Sequence, residues 1–418
     1  MADNNAQEVF LGRQPILGRD QQLLAYELLF RNGQIASGNN AVFLNATQAT
    51  ATVITNAFSE FSVGDALGPY RGYINVDHEF LFSDLIELLP PTAVVLEILE
   101  SIQPTPEVLV RCRHLCDLGF VLAIDDVVQA SAAYLPLLSL AEIIKIDIQA
   151  LGSSELESLV EQLKPLGKQL LAEKIETDAQ LKFCQDLGFD LFQGYFFAKP
   201  TVIAGKKLHP VQLTLIRLLG LLMEDADTAV VEQTFKQEPG LTVNLLRLTN
   251  SVGGGMACKI TSLRHAITLL GRRQLQRWLQ LLLYTNPKGS SQAVNPLLQL
   301  AATRGRLMEL LAEKRQAKNR EFAEHAFMVG IMSLMPALLG ISMAEILEQL
   351  PVAQRVKQAL IDDGGPHGDL LRLVKATEED EPQAVSKALQ ALPGSSVVQL
   401  NACLAQALNW ANTLGMEH

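Results

Sequence analysis

Short apolar runs alternate with amphipathic stretches over the first two hundred residues. The runs are rich in β-branched and aromatic residues, which favours strands. Amphipathic stretches such as 106–119 and 154–167 end at glycine, the usual stop of a helix. This alternation predicts a largely parallel sheet with helices packed on it. The predicted strands are 72–76, 93–98, 120–124, 143–146, 169–172 and 191–197.

A polar residue lies in or just after each predicted strand, and successive ones are 20 to 28 residues apart, the length of one strand–helix unit. In a (β/α)₈ TIM-like barrel the carboxyl ends of the strands converge on one mouth, where such residues would form a site. We therefore predict an α/β barrel, with a doubly wound sheet as the alternative. The positions are Asn75, Glu97, Asp125, Lys145, Glu173 and Gln193, and Glu27, which follows the earlier apolar run LLAY, adds a seventh.

The pattern changes near Pro200. From residue 209 onward apolar residues recur every three or four positions, which predicts an all-α region. Residues 1–200 carry 12 basic and 26 acidic residues, whereas residues 201–418 carry 22 and 19. We predict two domains, residues 1–203 and 204–418.

Composition narrows the classes of protein. The 418 residues are 48% hydrophobic with a net charge of −11, which disfavours a disordered chain and a general polyanion binder. Five cysteines without a CxxC pair indicate reduced thiols, and we find neither a signal peptide nor a membrane span. We expect a cytoplasmic protein.

Carboxylate and amide oxygens at one mouth suit Mg²⁺ or Mn²⁺ better than zinc. Two such ions commonly clamp a phosphodiester and a water. Lys145 would either orient that water or offset charge at the phosphate, and Arg13 and Arg31 would hold phosphate oxygens. The alternative for any single acid is a solvated surface charge, and for Asp126 also a helix N-cap.

The motifs of the first half resemble the EAL domain, a barrel that hydrolyses cyclic di-GMP to linear pGpG with two metal ions. They occur in the order of the family over residues 10–200. They are RQPI (13–16), YELLFR (26–31), INVD (74–77), LEILES (96–101), AIDDV (123–127), IKID (144–147), AEKIET (172–177) and FQGYFFAKP (192–200).

The resemblance implies roles for individual residues. The implied metal ligands are Glu27, Asn75, Glu97, Asp125 and Asp126. The implied catalytic residues are Lys145, Glu173 and Glu176. Gln14, Arg31 and Gln193 would bind the nucleotide, and Glu100 would anchor the loop after the two aspartates.

Two departures from the family pattern affect this assignment. The loop that is DDFGTG in relatives is DDVVQA (125–130) here, without either glycine, and Val and Gln resist backbone conformations that glycine permits. Lys174 replaces the glycine of AEGVET, which puts a cation beside Glu173. These departures favour binding of metal and nucleotide over turnover.

The second half resembles the HDOD domain, a helical relative of the HD phosphohydrolases. Ser333 and Leu334 occupy the region where relatives have a His-Asp dyad, so we expect a non-catalytic domain that contacts a protein partner. Residues 239–308 contain nine Lys or Arg and no acid, a stretch that faces either nucleic acid, an acidic partner or solvent. We do not expect nucleic acid. The resemblance is carried by residues 238–251, 259–279 and 326–340.

Together the two halves resemble the YuxH-type signalling proteins of bacteria. Our first hypothesis is a protein that binds cyclic di-GMP with Mg²⁺ or Mn²⁺ and passes this state to a partner through its helical half. The alternatives are an active phosphodiesterase regulated by the helical half and a ligand-free scaffold. The family also implies a homodimer formed through the barrel, and no membrane partner is expected.

Overall fold

The structure, a computed structural model, describes residues 9–32, 67–197, 210–252, 262–285, 295–378, 382–392 and 394–414. The chain folds into two compact units. One unit comprises residues 1–199 together with 372–418, and the other comprises residues 200–371.

Eight strands close into a barrel in chain order. Strand β1 runs antiparallel to both of its neighbours, β2 and β8, and every other pair is parallel. The predicted barrel is therefore confirmed, with one reversed strand that the alternation of strands and helices did not reveal. The strands are β1 (Val9–Gly18), β2 (Leu23–Asn32), β3 (Arg71–Val76), β4 (Val94–Ile98), β5 (Val121–Ile124), β6 (Ile143–Asp147), β7 (Gln169–Glu173) and β8 (Leu191–Gln193).

The barrel has two apolar layers because successive side chains of a strand point to opposite faces. Ile74, Leu96 and Ile144 belong to the larger layer, which includes residues of the surrounding helices. Burying each such side chain contributes about 1.5–3 kcal/mol. The second layer fills the inside of the barrel and consists of Ile16, Ala25, Tyr73, Val95, Val121, Ala123, Ile143, Leu171 and Leu191.

Local signals explain the helices between the strands. Thr105 accepts a hydrogen bond from the N–H of Val108 and so caps the helix that follows β4. That helix stops before Gly119, whose φ is +93°. The helices of this part are α1 (His78–Leu81), α2 (Pro106–Asp117), α3 (Leu135–Leu140), α4 (Ser153–Leu163) and α5 (Asp178–Leu187), with 3₁₀ turns at Asp84–Leu88 and Lys164–Leu166.

The rest of the described chain is helical, as predicted. Helix α9 is interrupted at Gly271, whose φ of +75° and ψ of 155° lie outside the helical region. The helices are α6 (Pro210–Met223), α7 (Thr228–Phe235), α8 (Pro239–Val252), α9 (Leu263–Leu282), α10 (Pro296–Arg315), α11 (Arg320–Met332), α12 (Met335–Leu339), α13 (Met343–Gln349), α14 (Gln354–Asp362), α15 (Gly365–Glu378), α16 (Pro382–Gln390) and α17 (Val397–Thr413).

The C-terminal residues belong to the barrel unit. The predicted division after residue 203 assigns 372–418 to the helical half, whereas the structure groups them with residues 1–199. Helix α17 packs against β1. The side chain of Asn412 lies so close to Gly68 that a Cβ there would come within 3.0 Å of it. Helical periodicity alone does not show which unit a helix joins.

One stretch, Arg320–Leu339, is long and apolar enough to cross a membrane by length and composition. In the 18-residue window that gives this stretch its hydropathy, 67% is buried inside the protein, which also fits a core helix. We treat it as weak evidence for a membrane span.

Candidate functional site

A layer of polar side chains lies directly above the inner apolar layer of the barrel. Glu27, Glu97 and Glu173 each follow an inner apolar residue by two positions, as Glu97 follows Val95. A spacing of two keeps a side chain on the same face of its strand. The strands therefore carry these carboxylates into the barrel mouth, where all three are buried.

Lys145 lies at the centre of this layer and is 1% exposed. Its Nζ is 2.8 Å from Oε1 of Glu173 and 3.1 Å from Oδ1 of Asp125. It also contacts Glu97, which is fully buried, and lies 3.6 Å from Oε2 of Glu27. One ammonium thus faces four carboxylates. A buried excess of negative charge is costly unless further cations or protons offset it.

Amide side chains complete the layer. Nδ2 of Asn75 donates to Oε1 of Glu27 at 3.2 Å, and Nε2 of Gln193 donates to Oε2 of Glu27 and, at 2.9 Å, to Oε1 of Gln14. Buried oxygens are normally hydrogen-bonded. Oδ1 of Asn75, Oε2 of Glu97 and Oε1 of Gln193 have no hydrogen-bond partner within the described parts of the chain.

These oxygens fit a divalent metal. The carboxylates of Glu27, Glu97 and Glu173 offer oxygens within 4.8 Å of one another. Glu100, Asp125 and Asp126 form a second such group. Both groups contain only hard oxygen donors, which suit Mg²⁺, Mn²⁺ or Ca²⁺. A cation would also give the unpaired acceptors the partner that they lack.

The electrostatics reflect the excess of acid. Burial, followed by repulsion from Glu173 and Asp126, raises the pKa of Asp125 to about 9. Burial also raises the pKa of Glu173, although the ammonium of Lys145 opposes this shift. Burial and repulsion therefore favour the protonated forms of Asp125 and Glu173 when no other cation is present.

Lys174 does not pair with Glu173, the neighbour that the sequence suggested. Its Nζ donates to Oδ2 of Asp147, and this hydrogen bond raises the pKa of Lys174. Its backbone has a φ of +57°, a left-handed conformation that favours glycine. Asp147 is 8% exposed and escaped the sequence analysis. It lies two positions after Lys145 on the same face of β6, and that spacing would have revealed it.

The loop after β5 does not need the glycines that it lacks. Asp126 has a φ of +44°, whereas Val128 and Ala130, at the family's glycine positions, are not among the described residues with positive φ. The loop is held by a hydrogen bond of 3.0 Å from the N–H of Val127 to the carbonyl of Lys145. Left-handed backbone at non-glycine residues is therefore found at Asp126 and Lys174, and not at the two positions where relatives have glycine.

The remaining predicted residues lie at the edge of the site or away from it. The guanidinium of Arg13 lies 4.0 Å from the centre of the Tyr26 ring, because Arg13 alternates with the inward-facing Gln14. Its predicted phosphate contact is not supported by this position. Glu176 is exposed in the segment between β7 and α5. Arg31 belongs to β2, but its side chain is outside the described residues.

The basic stretch of the second half is compensated by acids of the same unit. Arg264 contacts Glu232 at 3.1 Å, and Arg273 contacts Glu324 at 2.6 Å. Arg277 contacts Glu309, which also pairs with Arg306. Arg272 contacts Asp225 at 3.3 Å. The described part of this stretch therefore carries less free positive charge than its sequence indicates.

Comparison with known proteins now adds to this geometry. The EAL domain family matches residues 5–200, and the HDOD domain family matches residues 207–359. A protein of Vibrio cholerae named cyclic di-GMP phosphodiesterase CdgJ is 32% identical over 410 residues, which cover 97% of this chain and 93% of CdgJ. The chain belongs to the EAL–HDOD family.

Two further matches have a Bacillus subtilis origin. The uncharacterized protein YuxH is 31% identical over 413 residues, 97% of this chain and 98% of YuxH. The solved structure of YkuI, a protein with an EAL domain in complex with its substrate cyclic di-GMP and calcium, is 20% identical. The match covers 63% of this chain and 73% of the YkuI chain, with a TM-score of 0.38.

The HDOD domain has a buried arginine beside Ser333. Nη1 of Arg304, a residue that is 2% exposed, donates to Oγ of Ser333 at 2.7 Å. The same hydroxyl donates to the carbonyl of Gly330 at 2.7 Å. The positive charge of a guanidinium at this position repels a divalent cation.

Proposed function

We propose that the EAL domain is a metal-dependent phosphodiesterase that opens cyclic di-GMP to linear pGpG. The observation that carries this proposal is the acid excess around Lys145, with three buried oxygens that lack a partner among the described residues. The name of the relative CdgJ supports the same substrate and reaction.

The proposed roles follow from the positions of the side chains. Glu27, Asn75, Glu97, Asp125 and Asp126 would hold two divalent ions, Mg²⁺ or Mn²⁺. Such ions, when bound, polarise a phosphate and acidify a water. Lys145 would keep Glu173 ionised and oriented through their contact at 2.8 Å. Glu173 would then accept the proton of the attacking water.

The nucleotide would lie over the mouth of the barrel. Gln14 and Gln193 are joined by a hydrogen bond and point into the mouth from β1 and β8, so either amide could orient a phosphate. Arg31 remains a predicted nucleotide contact, Glu176 a predicted catalytic acid, and Glu100 a predicted anchor of the loop after β5. We further propose that the HDOD domain binds a protein partner and that the barrel forms a homodimer.

Chromatography of pGpG tests the proposed reaction. The purified chain is incubated with cyclic di-GMP and Mn²⁺, in parallel with Glu27→Ala and with Glu232→Ala as the control. Glu232 is an acid of the helical unit that pairs with Lys236 and Arg264. We expect product from the wild type and the control and none from Glu27→Ala. Equal product from all three would show that the activity does not come from this site.

A second candidate is binding of cyclic di-GMP without turnover. Its support is the ammonium of Lys174, which already donates a hydrogen bond to Asp147 at the mouth and lies near Asp126. A cation held there would weaken the binding of a second metal ion. Calorimetric binding of cyclic di-GMP in Ca²⁺ together with absence of pGpG in Mn²⁺ would favour this candidate.

A further inference from the structure

We propose that the HDOD domain has a ligand site of its own, for a small organic anion with an apolar body. The site is a cavity of about 400 Å³, within the range of small-molecule pockets. It lies among helices α6, α9 and α11 and the segment before α14. Its lining includes the polar residues Arg273, Gln276, Arg277, Gln280, Glu324 and His325.

The polar side of the cavity is rich in hydrogen-bond donors. Arg277 donates to Glu309 and lies 4.0 Å from the centre of the Phe327 ring, and this contact fixes the plane of its guanidinium. Arg273 uses one N–H for Glu324. A guanidinium has five N–H donors, so each retains donors beyond its carboxylate contact. Two cations and one carboxylate in the lining leave a positive balance, which favours an anion.

Gln280 gives the second, independent indication of a ligand. The residue is 2% exposed, and its amide nitrogen Nε2 has no hydrogen-bond partner among the described residues. A buried donor without a partner destabilises the folded protein, because it has lost its hydrogen bonds to water. Gln280 lines the cavity, so an acceptor atom of a bound molecule could remove this cost.

The rest of the cavity lining is apolar. It includes Leu222, Met223, Met328, Val352 and the ring of Phe327. Methionine side chains adapt to irregular shapes and contact aromatic rings favourably. The ligand that satisfies both kinds of lining residue carries a sulfonate, carboxylate or phosphate at one end and an aromatic or aliphatic body at the other.

Titration calorimetry with 8-anilinonaphthalene-1-sulfonate, an aromatic sulfonate, tests the proposal on the full-length chain. We expect one site per chain. Gln280→Leu should weaken binding about 5- to 10-fold, because the amide donor is lost. The same substitution should maintain or raise the melting temperature, because it removes an unpaired buried donor. A role in folding alone would change stability and leave the affinity unaltered.

Two further variants make the test specific. Arg273→Gln, at a side chain that is 39% exposed and so tolerates change, should also weaken binding. Gln299→Leu replaces a buried glutamine that is absent from the lining and should bind like the wild type. Wild-type affinity in both Gln280→Leu and Arg273→Gln, or no binding by the wild type, would overturn the proposal. Production of pGpG by Gln280→Leu should equal that of the wild type in either case.

Discussion

The barrel mouth and the helical unit both contain buried charge, but they balance it differently. In the barrel one ammonium, Lys145, contacts four carboxylates. In the helical unit the carboxylate of Glu309 is matched by two guanidiniums, those of Arg277 and Arg306. The first cluster is short of positive charge, and the second is not.

This difference separates a metal site from a cluster that needs no metal ion. The carboxylate of Glu309 already has positively charged partners within the protein. An acid cluster with too little positive charge has a high free energy unless protons or metal ions bind. The oxygens of Asn75, Glu97 and Gln193 that have no partner among the described residues strengthen this interpretation, since they are acceptors that metal ions use.

Removal of the ammonium of Lys145 should have the largest effect on stability. Lys145→Met leaves the carboxylates of Glu97 and Glu173 buried without their partner, which costs about 3–5 kcal/mol in the metal-free protein. For a domain of this size we expect a decrease in melting temperature of about 6–20 °C. Arg277→Met should cost less, because Arg306 still pairs with Glu309. Thermal unfolding in EDTA compares the two variants, and an equal decrease would contradict the proposed difference between the clusters.

Addition of metal should have the next largest effect. If Mn²⁺ binds the barrel mouth, a concentration 100 times its dissociation constant stabilises the protein by about 2.7 kcal/mol, or roughly 5–10 °C in melting temperature. Glu97→Gln should remove this response. Glu309→Gln, the matched change in the balanced cluster, should leave it intact. Loss of the response in both variants would mean that Mn²⁺ acts elsewhere.

The pH dependence of the metal-free protein tests the same excess of acid. The pKa of Asp125 is raised from 3.8 to about 9, so the folded protein retains a proton that the unfolded chain has lost. Stability from this group is complete below pH 4 and is lost as pH rises towards 9. We therefore expect a lower melting temperature at pH 8.5 than at pH 6 in EDTA. Asp125→Asn should flatten this dependence, and a steeper decrease in that variant would refute the assignment.

Much of this site was predictable from sequence because strand geometry is regular. Polar residues one strand–helix unit apart predicted the barrel, and a spacing of two along each strand explains why Glu97 lies above Val95. The reversed strand β1 was not predictable, since its hydrophobic pattern is the same in either direction. The placement of α17 against β1 likewise depends on contacts between distant parts of the chain.

Individual contacts of long side chains could not be predicted from the sequence either. Lys174 follows Glu173 directly, yet successive residues at a strand end point in different directions, and its ammonium reaches Asp147 instead. The nine basic residues of 239–308 suggested an open basic surface, whereas Arg264, Arg272, Arg273 and Arg277 pair with acids that are distant along the chain.

The smallest expected effect comes from Lys174→Gly. This variant tests whether the ammonium of Lys174 offsets part of the negative charge of the barrel cluster. The substitution removes a cation from Asp147 and places glycine at a φ of +57°, which glycine adopts without strain. Loss of one nearby charge is worth on the order of 1 kcal/mol, so we expect Mn²⁺ to bind about fivefold more tightly. Lys236→Gly, in an exposed pair with Glu232, controls for net charge. An unchanged affinity would show that Lys174 does not compete with metal. Tighter Mn²⁺ binding with faster production of pGpG would identify this lysine as the residue that restrains turnover.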